Sequence, residues 1–160
     1  MNQNGYDCQV INVVDGDTID VDIDLGFGIT LRDERVRIVG IDTPESRTSD
    51  KIEDLFGEAA KARVKELLEN TEGLKLVTRE DSGGEDMKGK FGRVLGDIRL
   101  DNGELLTQTL IAEGHAAPYT GGSKDATLVT HMANRKKLLA EGVVTQEAYD
   151  KAVQIMENKD

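Results

Sequence analysis

Apolar and polar residues alternate most regularly over residues 19–25, where aliphatic side chains are separated by three aspartates. A period of two predicts a β-strand with one buried face and one acidic face in water. Apolar runs also occur at 8–14 and within 29–41, and turns containing glycine at 15–17 and 26–28 separate the three segments. The first part of the chain therefore predicts three consecutive strands joined by short turns.

The hydrophobic period changes after a polar loop that we expect between Pro44 and Gly57. Apolar residues over 58–70 recur at helical spacing and predict a helix. Residues 74–78 and 93–100 predict two strands around a glycine-rich loop, and 105–113 predict a helix that stops at Gly114. Five short strands with a helix after the third predict an α+β fold: a five-stranded OB-fold β-barrel with about three helices and a short C-terminal helical extension.

The residues after Gly122 predict two further helices with a break at 141–144. Leu128, Met132 and Leu139 share a face of the first, and Thr145 is placed to cap the second. We expect disorder in residues 1–5, a main domain over 6–140 and a helical extension over 141–160. The extension either packs on the barrel, which we favour, or forms an oligomerisation hairpin.

Composition and targeting signals narrow the class of protein. Apolar residues make up 38% and charged residues 32% of the chain, an ordinary globular mixture. Neither a signal peptide nor a run of ~18 apolar residues is visible. Cys8 is the only cysteine, which fits a reducing compartment. We therefore expect a cytoplasmic protein without membrane contact.

The charge distribution limits how nucleic acid could be bound. The net charge is −11, which argues against broad, tight, sequence-independent coating of DNA because such binding needs many cations. The charge is uneven, since residues 1–31 hold six aspartates and no Lys or Arg, whereas Arg32, Arg35 and Arg37 follow at once. A local cationic site on an acidic body is compatible with this pattern.

The predicted strand ends carry the side chains that phosphodiester hydrolysis requires. The reacting phosphate is an anion, so a carboxylate-held cation and arginines must neutralise its charge while another carboxylate activates water. Asp17 follows the first turn, Asp42 and Glu45 flank the stiff Pro44 corner, and Arg37 and Arg93 lie on or beside strands.

Each of these residues also has a simpler structural explanation. The sequence around Asp17 is an ordinary turn signal. Arg37 could pair at the surface with a neighbouring acid, which is worth ~1 kcal/mol at most. Pro44 could simply begin a helix. His115 and His131 have no partners at metal-ligand spacing, so we expect them to be structural or exposed.

Taken together, the motifs resemble those of the staphylococcal nuclease (thermonuclease) family over roughly residues 6–140. The matching segments are DGDT at 15–18, R-x₄-DTPE at 37–45, FGEAA at 56–60 and KFGR at 90–93. The resemblance implies a nuclease domain over 6–140 that hydrolyses phosphodiester bonds of DNA or RNA. It further implies attack of water on phosphorus and departure of the 5′ oxygen, which gives 3′-phosphate ends.

The resemblance also assigns roles to single residues. Asp17 and Asp42, with the backbone carbonyl of Thr43, resemble the ligands of one calcium ion, and Glu45 resembles the residue that reaches the ion through water and acts as general base. Calcium tolerates such a sparse set of oxygens, and manganese or magnesium remain alternatives. Arg37 and Arg93 resemble the phosphate-clamping catalytic pair.

The substrate-binding segment departs from the family pattern. Phe91 stands where the family usually has a tyrosine, Gly89 replaces an aspartate, and Lys90 remains as a polar contact. A pair of stacking tyrosines is reduced to Tyr119, and Lys51 is a further candidate contact. Because stacking is worth ~1–3 kcal/mol per base, we expect weakened binding of a substrate that is preferably single-stranded.

Two rival hypotheses remain open on sequence alone. The first is a catalytically weak or inactive module of this family that binds nucleic acid or protein. The second is a structural or assembly protein that uses the extension as its contact. We expect a monomer, with a tail-mediated oligomer as the alternative. A nonspecific nuclease inside a cell needs restraint, which makes a phage-encoded origin an attractive hypothesis.

Overall fold

The structure is a computed structural model that describes residues 5–69, 71–79, 92–119, 121 and 124–158. Residues 1–4, for which we expected disorder, and the glycine-rich loop lie outside this part. The elements in chain order are β1 (Tyr6–Asp15), β2 (Thr18–Gly26), β3 (Ile29–Ile38), β4 (Ile41–Asp42), α1 (Lys51–Leu68), β5 (Lys75–Thr78), β6 (Val94–Arg99), α2 (Leu106–Glu113), β7 (Ala117–Pro118), α3 (Lys124–Ala140) and α4 (Gln146–Glu157).

Five strands close into a barrel in the order β1-β2-β3-β6-β5, which confirms the predicted α+β barrel fold. All neighbours are antiparallel except β3 and β6, which run parallel and pair Val36 with Val94. The alternating aliphatic residues of β2 fill the interior, where Ile19, Val21 and Ile23 are buried. Hydrophobic alternation thus determines which face of each strand points inward.

The acidic face of β2 is less exposed to water than predicted. Asp20 is buried because Arg35 of the neighbouring strand covers it, with Arg35 Nε donating to Asp20 Oδ1 at 2.9 Å. This hydrogen bond lowers the pKa of Asp20. Asp22 is paired in the same way with Arg32 at 3.0 Å. Arg32 and Arg35, the first two arginines after the acidic segment, therefore form ion pairs with aspartates of the neighbouring strand.

The predicted third strand, 29–41, is wrong at its end. β3 stops at Ile38, and Gly40 has a φ of +84°, a left-handed conformation that glycine adopts without strain. The chain then leaves the barrel and forms β4, which pairs with β7 through Ile41–Pro118 and Asp42–Ala117. This break carries the Asp42–Glu45 segment away from the barrel wall toward α3.

The predicted polar loop up to Gly57 is also wrong, because α1 begins at Lys51. Asp50 caps the helix by accepting hydrogen bonds from the backbone N–H groups of Ile52 and Glu53 at 3.0 and 3.1 Å. Acidic side chains in the first turn favour this start through the helix dipole. Phe56, which we placed in the loop, is 1% exposed and holds the first turns against the rest of the protein.

A second hydrophobic cluster outside the barrel core joins α1 to the C-terminal helices. Its buried members are Phe56, Leu138 and Val144, and the Tyr149 ring of α4 meets Phe56 edge-on at 6.2 Å between centroids. The extension therefore packs on α1, and the division of the chain at residue 141 stays a prediction. No helix within the described ranges has the length and apolar character that a membrane span requires.

Candidate active site

A cleft of about 290 Å³ opens at the rim of the barrel, where the first turn, the end of β3 and the start of β6 meet. It brings together five predicted site residues: Asp17, Arg37, Thr43, Glu45 and Arg93. The remaining lining residues are Asp15, Thr18, Pro44 and Ser46. Side chains far apart in the sequence thus face one small space.

The guanidinium of Arg37 is held in place by the backbone that follows it. Its Nη2 donates to the Ile41 carbonyl at 3.2 Å and lies 3.4 Å from Asp17 Oδ2, while Nη1 donates to the Ile38 carbonyl. The side chain is only 23% exposed. An arginine fixed in this way is preorganised to meet an anion entering the cleft.

Arg93 reaches the cleft from the neighbouring strand. It lies between Gly92 and β6, and the parallel pairing of Val94 with Val36 places it beside the strand that carries Arg37. Gly92 has a φ of +73°, so a glycine suits the sharp approach to the strand. The two arginines therefore share one rim because β3 and β6 close the barrel.

The first turn is packed tightly against the acidic corner. The Thr18 hydroxyl donates to Asp17 Oδ1 at 3.0 Å, and Ile38 N–H donates to the Asp17 carbonyl at 2.8 Å. A Cβ on Gly16 would lie 3.2 Å from Thr43 Cγ2 and 3.1 Å from Ala60 Cβ. The turn motif therefore does more than reverse the chain, since it docks onto the corner and onto α1.

Asp42 takes a different orientation from the other predicted ligands. Its Oδ2 lies 2.8 Å from Nε2 of His131 on α3, whose side chain is 11% exposed, and Asp42 is absent from the cleft lining. We expected His131 to be structural or exposed, and it is largely buried. Sequence spacing gave no signal for this contact, because the two residues belong to distant elements.

The donor chemistry suits a hard cation, although fewer side chains gather than the sequence predicted. Asp17, Glu45 and the Thr43 segment offer oxygen atoms at the cleft, which is the ligand type that calcium prefers. Within the described ranges, no three His, Cys, Asp or Glu side chains lie close enough to form a metal site. An ion bound by Asp17 and Asp42 therefore stays a prediction.

Glu45 is exposed at the cleft, and its backbone is held by α1. Its N–H donates to Glu53 Oε1 of α1 at 3.0 Å, and Glu53 Oε2 accepts from Arg135 Nη2 of α3 at 2.8 Å. A Cβ on Gly57 would lie only 2.4 Å from the Glu45 carbonyl oxygen. The sequence signal for the start of α1 is the spacing of Asp50, the capping residue, and Glu53 in the first turn.

Ser46 and Arg47 close the other side of the corner onto Asp15. The Ser46 hydroxyl donates to Asp15 Oδ1, and Arg47 Nη2 lies 3.1 Å from Asp15 Oδ2. Arg47 N–H donates to Asp54 Oδ1 at 2.5 Å, and Arg47 itself has a φ of +59°. These contacts connect the corner to both β1 and α1, and the sequence analysis missed them.

The two predicted substrate contacts that the structure describes, Tyr119 and Lys51, do not line the cleft. Tyr119 is half-buried, and its N–H donates to the Gly40 carbonyl at 2.9 Å. Lys51 is exposed at the first position of α1. Neither lines the cleft, and Lys90 and Phe91 lie outside the described residues. Their roles in binding stay predictions.

The closed barrel with a helix after its third long strand defines an OB-fold protein with paired arginines at its rim. The family described as "Staphylococcal nuclease homologue" matches residues 35–139, and the chain belongs to this family. The match confirms the resemblance that the motifs indicated.

Three relatives have names that state an activity. The chain is 36% identical over 107 residues to "Thermonuclease" of Staphylococcus intermedius, which covers 67% of this chain and 56% of that protein. It is 34% identical over 110 residues to "SPbeta prophage-derived endonuclease YokF" of Bacillus subtilis strain 168, covering 69% of this chain and 33% of that protein. It is 36% identical over 103 residues to "Endonuclease YncB" of the same strain, covering 64% of this chain and 43% of that protein. The chain thus spans about half, or less, of each relative's length.

Proposed function

We propose that this protein is a calcium-dependent nuclease that hydrolyses phosphodiester bonds of DNA or RNA. The observation that carries the proposal is the cleft in which Arg37 and Arg93 stand beside Asp17 and Glu45. Two arginines and two carboxylates around a space of about 290 Å³ match the needs of a reacting phosphate diester. Family membership and the names of the relatives support the same activity.

In the proposed mechanism the chain's own residues bind the phosphate and move one proton. Arg37 and Arg93 donate to the non-bridging oxygens and stabilise the charge that develops as water attacks phosphorus. Glu45 accepts the proton of the attacking water. The bond between phosphorus and the 5′ oxygen breaks and the 5′ oxygen takes up a proton from solvent water, so the products carry 3′-phosphate and 5′-hydroxyl ends. A calcium ion held by Asp17, Asp42 and the Thr43 carbonyl would supply further charge neutralisation at the phosphate.

The preferred substrate is proposed to be single-stranded and bound with modest affinity. A net charge of −11 opposes the approach of a duplex, whose phosphates are densely spaced. A single strand can present one phosphate at the rim while its bases turn outward. Tyr119, Lys51, Lys90 and Phe91 remain the proposed contacts for the rest of the strand.

The test is digestion of a fluorescently labelled single-stranded oligonucleotide with calcium and with calcium plus chelator. We expect cleavage that the chelator abolishes and products whose 3′ ends a DNA polymerase can extend only after a phosphatase has removed the 3′ phosphate. Arg93→Ala should be strongly impaired, whereas Arg99→Ala, which removes the same charge at the far end of β6, should cleave normally. Equal cleavage by the two variants would disprove the proposed site.

A binding module with weak or absent chemistry is the second candidate. It is favoured by the orientation of Asp42, whose carboxylate contacts His131 instead of lining the cleft. Under this alternative the oligonucleotide binds with or without calcium and stays intact. Fluorescence anisotropy on the same labelled oligonucleotide, followed by electrophoresis, separates binding from cleavage in one sample.

A further inference from the structure

We infer that Glu53 and Arg135 act as a positioning pair that fixes Glu45 at the cleft. Neither residue lines the cleft, and both were missed by the motif comparison. The inference rests on the function proposed above, in which Glu45 is the general base. It assigns to α3, a helix outside the barrel, a specific part in the reaction.

The first contact joins the general base to α1. Glu53 Oε1 accepts a hydrogen bond from the backbone N–H of Glu45 at 3.0 Å. The Glu45 side chain is exposed and has freedom of its own, so its position depends on where the backbone is held. The absence of a β-carbon on Gly57 lets the Glu45 carbonyl lie directly against the same helix. Glu45 is therefore fixed through its main chain on both sides of the Cα.

The second contact fixes Glu53 in turn. Arg135 Nη2 lies 2.8 Å from Glu53 Oε2, and the two side chains are only 17% and 30% exposed. The guanidinium carbon of Arg135 stacks 5.2 Å from the centroid of the Phe56 ring. A partly buried charge pair of this kind has few alternative rotamers, so Arg135 selects the Glu53 conformation that can accept from Glu45.

A third contact shows that α3 supports both ends of the corner. His131 precedes Arg135 by four residues, one helical turn, and so lies on the same face of α3. It contacts Asp42 at 2.8 Å, while Arg135 reaches Glu45 through Glu53. One helix face therefore contacts Asp42 directly and Glu45 through Glu53. Displacement of α3 would release both.

The kinetic test asks whether the effects of substituting Glu53 and Glu45 on kcat are non-additive. Glu53→Ala should lower kcat by about tenfold with KM changed less than about twofold, because only the placement of the base is lost. Glu53→Gln, whose amide oxygen still accepts from Glu45, should retain more activity than Glu53→Ala. In a Glu45→Ala background, Glu53→Ala should lower kcat by less than about twofold. An equal loss in both backgrounds would overturn the inference.

Backbone amide exchange gives a second readout that does not depend on catalysis. Glu53→Ala and Arg135→Met should each speed exchange of the Glu45 N–H by about tenfold. The matched control is Arg63→Met, which removes a similar pair, Arg63–Glu113 at 2.6 Å, and should leave this exchange unchanged. Unchanged exchange in the first two variants would overturn the inference even if the wild-type protein cleaves nothing. An inactive wild type with faster Glu45 exchange in the variants would instead reject the proposed function and keep the positioning contact.

Discussion

Gly57→Ala should show how closely α1 approaches Glu45, the proposed general base. A Cβ at this position would stand 2.4 Å from the Glu45 carbonyl oxygen and 2.6 Å from Ser46 N, below the 3.0 Å that real Cβ contacts respect. The corner must therefore retreat by at least about 0.6 Å. Misplacement on the order of 1 Å can reduce turnover about 100-fold, so we expect kcat to fall about 10- to 100-fold.

The effect on stability should be much smaller than the effect on turnover. Overpacking costs about 1–3 kcal/mol, and alanine in a helix recovers about 1 kcal/mol relative to glycine. Urea unfolding therefore separates the two effects when it is measured beside kcat on a single-stranded oligonucleotide. Lys65→Ala, an exposed change on the same helix, is the control. Turnover within twofold of wild type in Gly57→Ala would refute the view that this approach fixes Glu45.

Three further predictions address the site, the fold and the pH dependence. Arg93→Ala should lose at least about tenfold in kcat with an unchanged urea midpoint, and a parallel loss of stability would contradict a catalytic role. Leu138→Ala, in the cluster that joins the C-terminal helices to α1, should lower the free energy of unfolding by about 2–5 kcal/mol, whereas Val143→Ala at an exposed site should not. Burial lowers the pKa of His115 below its ordinary 6.5, so the unfolded chain takes up the proton first and stability is lost as pH falls below about 6.5. His115→Leu should flatten that loss in urea titrations between about pH 6.5 and 5, and an identical slope would assign the acid sensitivity to other groups.

The barrel was predictable because burial imposes a period of two on its strands. β2 follows the alternation of Ile19, Val21 and Ile23 closely. The boundaries were less predictable, since the end of β3 depends on Gly40 and the start of α1 depends on Asp50 as a cap. A glycine in a strand and an aspartate in a polar stretch are weak signals until the neighbouring contacts are known.

The candidate site was predictable only as a set of residues, since spacing alone does not give side-chain orientation. Asp17, Arg37, Glu45 and Arg93 do meet at one cleft. The orientation of Asp42 toward His131 arises from β4–β7 pairing and from the packing of α3. Such contacts between distant segments leave no periodic trace in a sequence, and a comparison of motifs along the chain passes over them.

The parallel pairing of β3 with β6 has a consequence for the protein while it is being synthesised and folded. Arg37 and Arg93 line the same cleft only when β3 and β6 are paired and the barrel is closed. In a chain that is still emerging from the ribosome, or in one whose β3–β6 pairing is broken, the two arginines are apart. Under the proposed function, cutting activity would then arise together with the finished fold, and a half-made molecule would leave the nucleic acid around it intact.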